Sequence, residues 1–317
     1  MQVNKEEKYI DLVIIGSGPA GLTAAIYAAR MKLNFIVLED ELVGGQIRST
    51  YSVENYPGFK IISGQELVDK FYEQALSAGA TIDEFDNIVR VSLKDNEKII
   101  ETDSFIYKAE TVIIATGSQY RPLPIKEEAT YHGNGIHHCE LCDGEMYEDK
   151  DIIVVGGGNS AIEGAIFLSR YAKTITIVHQ FDNLQSEKSL QEEVLNNPKV
   201  TMVWDSEIRH AYGEGKLEEV LVENLKTKET SKIKADGIFV YIGMIPKTKM
   251  FEDQIDINKW GYIKAGETTT TNVEGVFVAG DVREKLFRQL TTANADGTVA
   301  ALMAERYIVN KRRKSNG

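Results

Sequence analysis

Apolar residues along this chain gather into short, dense runs that end at glycine turns. Residues 9–15 form such a run, and it stops at Gly16-Ser17-Gly18-Pro19-Ala20-Gly21. A helix rich in small residues is predicted over 22–30, then a second strand over 34–38. The succession starts again at residue 151, with a strand over 151–155 and the turn Gly156-Gly157-Gly158-Asn159-Ser160-Ala161. A helix over 161–171 and a strand over 174–178 complete the second unit. Each strand–helix–strand unit calls for a parallel sheet with a helix laid across it.

Two such units predict an α/β chain with two Rossmann-like nucleotide-binding domains in three layers (ββα/βα), not one large sheet. The length of 317 residues agrees, since single cores stop growing beyond roughly 250–300 residues. A strand over 111–116 ends at Gly117, and Tyr120-Arg121-Pro122-Leu123-Pro124 reads as a linker. The run 238–243 followed by Met244-Ile245-Pro246 is its counterpart. The expected organisation is a central domain, 119–245, inserted into a discontinuous first domain, 1–118 plus 246–317. Residues 275–281 bring the chain back to that first domain. Residues 217–229 alternate charged and apolar side chains, as an exposed hairpin would.

Hydrophobic content of 43% and charged content of 26% are those of a soluble globular protein. A net charge of -12 excludes a general nucleic-acid or anionic-membrane binder. The basic run Lys311-Arg312-Arg313-Lys314 is expected as a solvated, frayed tail. The first residues are charged, and no segment is long and apolar enough to span a bilayer, so a cytoplasmic location is expected. In a reducing compartment the two cysteines, Cys139 and Cys142, are catalytic rather than structural.

The first glycine turn lies between a strand and a helix, where its free N–H groups can hold a pyrophosphate. Glu39, at the end of the second strand, is placed to accept hydrogen bonds from a ribose. The Cys-x-x-Cys pair suits thiol–disulfide exchange, because one thiol can resolve a mixed disulfide formed by the other. His137 and His138 precede it, but adjacent residues rarely converge on one tetrahedral zinc ion and no second cysteine cluster exists. No metal is expected.

Gly44-Gly45-Gln46, Glu54-Asn55-Tyr56-Pro57-Gly58, Ala115-Thr116-Gly117, Ala279-Gly280-Asp281 and Arg288-Gln289-Leu290-Thr291-Thr292-Ala293 occur in the order seen in two-domain flavoprotein disulfide reductases. With the internal Cys139-x-x-Cys142-Asp143-Gly144, the chain resembles the low-molecular-weight thioredoxin reductases over nearly its whole length. That resemblance implies FAD in the first domain, on Gly16, Gly18, Pro19, Ala20 and Gly21, with Glu39 on the ribose. Gly45, Gln46, Asn55, Ala115, Thr116 and Gly117 would complete the cradle. Gly280 and Asp281 would meet the ribityl chain, and Arg288, Gln289 and Leu290 the flavin end, with Gln289 beside the flavin. Cys142 would face the flavin, Cys139 would attack thioredoxin, and Asp143 would protonate the departing thiolate. His137 and His138 would lie at the surface or on the flavin side. A homodimer is implied, with a central domain that swings on hinges near 117–121 and 243–246.

The second turn, Gly156-x-Gly158-x-x-Ala161, resembles the family's nicotinamide fingerprint, but the following strand departs from it. NADPH-dependent members carry His-Arg-Arg-x-x-x-Arg there, and this chain has His179-Gln180-Phe181-Asp182-Asn183-Leu184-Gln185. Neutral amides cannot replace charge-assisted bonds to a 2′-phosphate, so NADPH is not the expected donor. Asp182 is the nearest acid for a free 2′-OH, as NADH would need. The departure resembles the pyridine-nucleotide-independent branch, whose donor is reduced ferredoxin. The alternatives are an NADH- or NADPH-dependent reductase, an oxygen-dependent dithiol oxidase, and a flavin redox sensor of low turnover.

Overall fold

Four consecutive residues of the strand Glu6–Ile15, namely Leu12, Val13, Ile14 and Ile15, are almost fully buried. Leu12 and Ile14 enter one apolar cluster, and Val13 and Ile15 enter another. Both faces of this strand are covered, which is why it reads as an unbroken apolar run. The structure, a computed structural model, describes residues 5–50, 53, 55–94 and 97–315, without the side chains of 49, 141, 142 and 315. The chain divides into two compact units, Met1–Gln119 with Ile245–Gly317, and Tyr120–Met244.

Among the described residues, the first unit holds a seven-stranded sheet. Ile82–Glu84, Phe35–Glu39, Glu6–Ile15 and Phe105–Ile114 run parallel, and Val276–Val278 pairs parallel with residues 112–114. Lys98–Thr102 and Ile88–Ser92 extend the sheet in antiparallel fashion. The helices Pro19–Arg30 and Leu290–Ser315 cover one face, and their alanines pack with Leu12 and Ile14. Small residues let these helices lie close to the sheet and to each other, which brings both helix starts to one end of it.

The second unit has a parallel sheet in the order Val200–Val203, Thr174–Val178, Asp151–Val155, Gly237–Val240, Ile136–His137. Ile152 and Val154 pack against the helices Asn159–Leu168 and Lys188–Leu195. On the opposite face Ile153 and Val155 meet Ile208, Val220 and Val222 of an antiparallel sheet. That sheet is formed by Ser206–Tyr212, Glu219–Asn224 and Thr230–Lys234. Two sheets and a helix layer make this unit the three-layer α/β arrangement expected from the sequence.

Four local expectations need correction. Both glycine-loop helices begin earlier than the apolar pattern indicates, at Pro19 and Asn159, because the last loop residues already form the first turn. Residues 217–229 are not simply an exposed hairpin: Glu219–Asn224 is the middle strand of three, and Val220 and Val222 are buried. The expected linker at 120–124 is partly structured, with Ser118–Tyr120 a short strand and Leu123 buried. The basic run 311–314 continues the last helix and is not frayed. Arg312 bonds Glu110 at 2.6 and 3.0 Å and also pairs with Asp11, which holds that end down.

Candidate active site

The loop after Glu6–Ile15 is shaped by what its glycines exclude. A Cβ on Gly21 would meet the Gly16 carbonyl oxygen at 1.9 Å, so only glycine lets helix and strand approach this closely. Around Gly18 there is open space, with no atom within 4 Å of where a Cβ would sit. Gly18 caps the helix without any side-chain hydrogen bond, Pro19 takes the first turn, and no acid lies there. Free N–H groups facing open space are the arrangement that receives a pyrophosphate. Gly45, at φ +61°, comes close to Gly18, whose Cα would lie 3.3 Å from a Cβ there, and Ala20 lies beside Gly280.

Glu39 ends its strand facing this loop. Its Oε2 accepts from Ser17 N at 2.8 Å and from Ser17 Oγ at 2.7 Å, and its Oε1 accepts from Glu41 N at 3.2 Å. Gln46 Nε2 donates to Ser118 O at 2.5 Å, and Ala115 lies against Gly16. Thr116 Oγ1 donates to Lys247 O at 2.8 Å, and Gly117 O accepts from Lys247 N at 3.0 Å. Asn55 Nδ2 donates to Gln289 Oε1 at 3.3 Å, which joins two motifs far apart in sequence. Glu54, quoted with Asn55, lies outside the described residues.

Asp281 follows Gly280 in a short turn and is half-buried there. Its Oδ1 accepts no hydrogen bond, and Lys285 Nζ stands 3.8 Å away. Burial pushes its carboxyl above the ordinary value, opposed by Lys285 and Arg288. Arg288 lies over the Tyr262 ring at 3.8 Å, and Leu290 packs against Val53, Ile62 and Leu67. An unsatisfied buried acceptor fits the ribityl chain of FAD, and an open glycine loop at an uncapped helix start fits its pyrophosphate.

Two polar residues of the last helix were invisible to motif reading. Asp296 accepts from Gly280 N at 3.1 Å and binds Arg283 at 2.8 Å and Lys285 at 3.0 Å. Asn294 Nδ2 donates to Tyr56 OH at 2.9 Å, while its Oδ1 is buried without a partner. Polar side chains set among the alanines on the buried side of the helix were the available signal.

In the second unit, Cys139 is disulfide-bonded, and no free cysteine occurs among the described residues. The side chain of Cys142 lies outside them. Cys139 immediately precedes the helical turn Glu140–Asp143, and its carbonyl accepts from Asp143 N at 3.2 Å. Glu140 Oε2 accepts from Tyr241 OH at 2.5 Å, which ties this turn to the end of the strand Gly237–Val240.

His137 is 2% exposed, contrary to the expected surface position, because it belongs to the strand that edges the parallel sheet. Its Nε2 faces two donors, Tyr147 OH at 2.7 Å and Gly135 N at 3.3 Å. Burial and Asp143 raise the Tyr147 hydroxyl to about 12, so it keeps its proton. The His137 proton therefore sits on Nδ1, 3.0 Å from Asp143 Oδ2, though off the line of a well-formed hydrogen bond. Burial holds this imidazole below its usual value, against the opposing pull of Asp143. His138 turns elsewhere, with Nε2 3.3 Å from Glu128 Oε1. The two histidines do not converge on one centre.

The second glycine loop is covered by the residues that replace the arginines' neighbourhood. His179 is buried, and a Cβ on Gly157 would lie 2.5 Å from its ring. Gln185 N donates to Gly157 O at 2.8 Å, and its amide donates to Asn183 O at 2.6 Å. Phe181 stands edge-on to His179 at 5.4 Å. Asp182 pairs with Lys226 at 3.1 Å, and Lys226 also pairs with Asp205 at 2.9 Å. At the start of the following helix, Asn159 holds Glu187, accepting from its N at 2.8 Å.

A family model described as pyridine nucleotide-disulphide oxidoreductase matches residues 10–297. A protein of Clostridium pasteurianum, described as a 34.2 kDa protein in rubredoxin operon, is 62% identical over 97% of this chain and 100% of its own. A thioredoxin reductase of Bacillus subtilis is 41% identical over 96% of each chain. The crystal structure of Lactococcus lactis thioredoxin reductase, in its FR conformation, superposes with a TM-score of 0.91. It shares 36% identity over 95% of this chain and 99% of that one.

Proposed function

The chain belongs to the pyridine nucleotide-disulphide oxidoreductase family, and from that premise we propose an FAD-dependent thioredoxin reductase whose electrons come from reduced ferredoxin rather than NADPH. The reductase part rests on Cys139, held in a disulfide one residue before a helical turn that ends in Asp143. Gly16, Gly18, Pro19, Ala20, Gly21, Glu39, Gly45 and Asp281 would hold FAD, which when bound supplies the electron pair that opens the disulfide. Cys139 as thiolate then attacks the thioredoxin disulfide and forms a mixed disulfide. The thiolate released takes a proton from the Asp143 carboxyl. Attack by Cys142 on the Cys139 sulfur restores the enzyme disulfide and frees reduced thioredoxin, the proton of the Cys142 thiol passing to the second thioredoxin thiolate, so two electrons and two protons end on the substrate.

The donor part is carried by one observation. After the strand Thr174–Val178, the chain offers Gln180, Phe181 and Gln185 where a 2′-phosphate needs arginines, and the nearby Lys226 is already paired with Asp182 and Asp205. The same pairing engages Asp182, the acid that NADH use would need. The Glu187 carboxylate, 3.5 Å from Asn159 Nδ2 at the helix start, adds negative charge beside a turn that would have to receive a pyrophosphate. Ferredoxins lie at about −400 mV and thioredoxin at about −270 mV, so two electrons release roughly 6 kcal/mol. The reading includes a homodimer with hinges near 117–121 and 243–246.

The deciding experiment mixes oxidised enzyme anaerobically with NADPH, NADH or reduced ferredoxin and follows loss of flavin absorbance. Ferredoxin should bleach the flavin rapidly, and the nicotinamides slowly or not at all. Rapid bleaching by micromolar NADPH would sink the donor reading and leave the dithiol chemistry standing. In a separate trap, Cys142→Ser should accumulate a Cys139–thioredoxin mixed disulfide. Accumulation with Cys139→Ser instead would reverse the two cysteine roles.

A further inference from the structure

The side chains of Glu128, His132 and His138 converge in the second unit, each offering one ligand atom within 4.8 Å of the others. Glu128 and His132 are one helical turn apart, on and just after Glu128–Tyr131, so their side chains share a face. His138 reaches the same carboxylate from the segment after Ile136–His137. We propose that these three residues form a binding site for one divalent first-row transition ion of the Zn2+ type.

The distances fit. Metal–nitrogen and metal–oxygen bonds of about 2.0–2.2 Å place neighbouring ligands of a tetrahedral ion roughly 3.3–3.5 Å apart. Glu128 Oε1 lies 3.3 Å from His138 Nε2 and 3.5 Å from His132 Nδ1. The tautomer fits as well. His138 Nδ1 is 3.3 Å from the Val240 carbonyl, which can only accept, so the ring proton belongs on Nδ1. That leaves the Nε2 lone pair facing a carboxylate oxygen, two acceptors that need a cation between them. A backbone carbonyl holding the far nitrogen of a ligating histidine is a recurrent support for metal sites. The Tyr120 ring, stacked on His138 at 5.6 Å, fixes the imidazole plane.

A second oxygen points the same way. Glu128 Oε2 is buried and has no hydrogen-bond partner, so the carboxylate has unused ligand capacity. Glu127 does not compete, because its carboxylate bonds His210 at 3.1 Å. The His132 side chain is 65% exposed, which gives an ion a way in. Two imidazoles and one carboxylate suit zinc, and three protein ligands leave a fourth position for water, as in exchangeable rather than closed structural sites. Because His138 is joined to Cys139 in the chain, a bound ion restrains the backbone entering the disulfide.

The test uses tag-free, FAD-loaded enzyme with its disulfide oxidised, so that neither thiol can act as a ligand. Zn2+ is titrated in competition with a chromophoric chelator, and Co2+ is followed by its visible absorption. One equivalent per chain is expected, weakened more than about 10-fold in His132→Ala and unchanged in His210→Ala. Glu128→Gln should behave like His132→Ala, and the exposed position of His132 keeps the test valid should that buried substitution fail to fold. Flavin spectrum and melting temperature serve as folding controls. Binding of no ion, or of one equivalent that survives His132→Ala, would overturn the site and leave a proton shared between His138 and Glu128 as its explanation.

Discussion

His137 Nδ1 stands 3.0 Å from Asp143 Oδ2, with its other nitrogen occupied by Tyr147 and Gly135. The imidazole thus presents an N–H to the carboxylate assigned to proton transfer, and it is held there by a strand rather than by a loop. Asp143→Asn should slow reduction of thioredoxin by reduced enzyme about 10²-fold or more, the usual range for removal of a general acid. His137→Ala should slow it roughly 10- to 100-fold through a misplaced carboxyl. His137→Gln, which retains an N–H, should recover part of that loss. Single-turnover stopped-flow measurement decides, and equal rates in His137→Ala and His137→Gln would reduce His137 to a packing role.

The missing arginines can be put back. Gln180→Arg, Phe181→Arg and Gln185→Arg together should restore phosphate contacts worth roughly 1.5–3 kcal/mol each when formed. Even one such bond corresponds to about a tenfold or greater gain in affinity. The rate of flavin reduction by NADPH should rise accordingly, and more so with Glu187→Gln added, since that carboxylate lies at the helix start. Ferredoxin-driven reduction should stay as it was. A triple variant no faster with NADPH than the parent would show that something other than these side chains bars the nucleotide.

Much of this architecture is local and therefore readable in advance. The buried run Leu12 to Ile15 and the turns at Gly16 and Gly156 announce the strand–helix–strand units because their pattern needs only neighbours in sequence. What escaped reading depends on partners far along the chain. Ile136–His137 is a two-residue strand, too short to show a period, so nothing local marked His137 as buried. Val220 and Val222 looked like one face of an exposed hairpin until Ile153 and Val155 covered them. Arg312 looked like part of a loose tail, and Asp11 and Glu110, some 200 to 300 residues away, hold it. Glu128, His132 and His138 meet because a short helix and a strand end face each other, an arrangement without a sequence period.

The network around Asp296 should be costly to break. Its side chain is 9% exposed, and those of Arg283 and Lys285 are 13% and 7% exposed. Asp296→Asn removes the closest counter-charge from two largely buried cations, with Lys285 keeping only Asp281 at 3.8 Å, a change that typically costs about 3–5 kcal/mol. It also weakens the bond to Gly280 N that shapes the turn carrying Asp281. Two readouts should move together: a lower melting temperature and a lower FAD-to-protein ratio after gel filtration. A variant with full flavin content and an unchanged melting temperature would remove Asp296 from the support of this site.

His179 gives the second unit a pH dependence with a defined sign. Burial against the Gly157 loop lowers its pKa from the ordinary 6.5, while bonds from Gln185 and Asn183 act in the opposite direction. With the folded value depressed, the unfolded chain binds the proton more readily between that value and 6.5. The contribution to stability is therefore complete above about pH 6.5. It falls away as the pH drops below that value and levels off once the folded state is protonated too. Many carboxylates also titrate on acidification, so the informative quantity is the difference between the parent and His179→Gln. Melting temperatures at pH 7.5 and 5.0 should converge on acidification, because only the parent carries this loss. A gap that stays constant or widens as the pH falls would mean that His179 is not held neutral on the glycine loop.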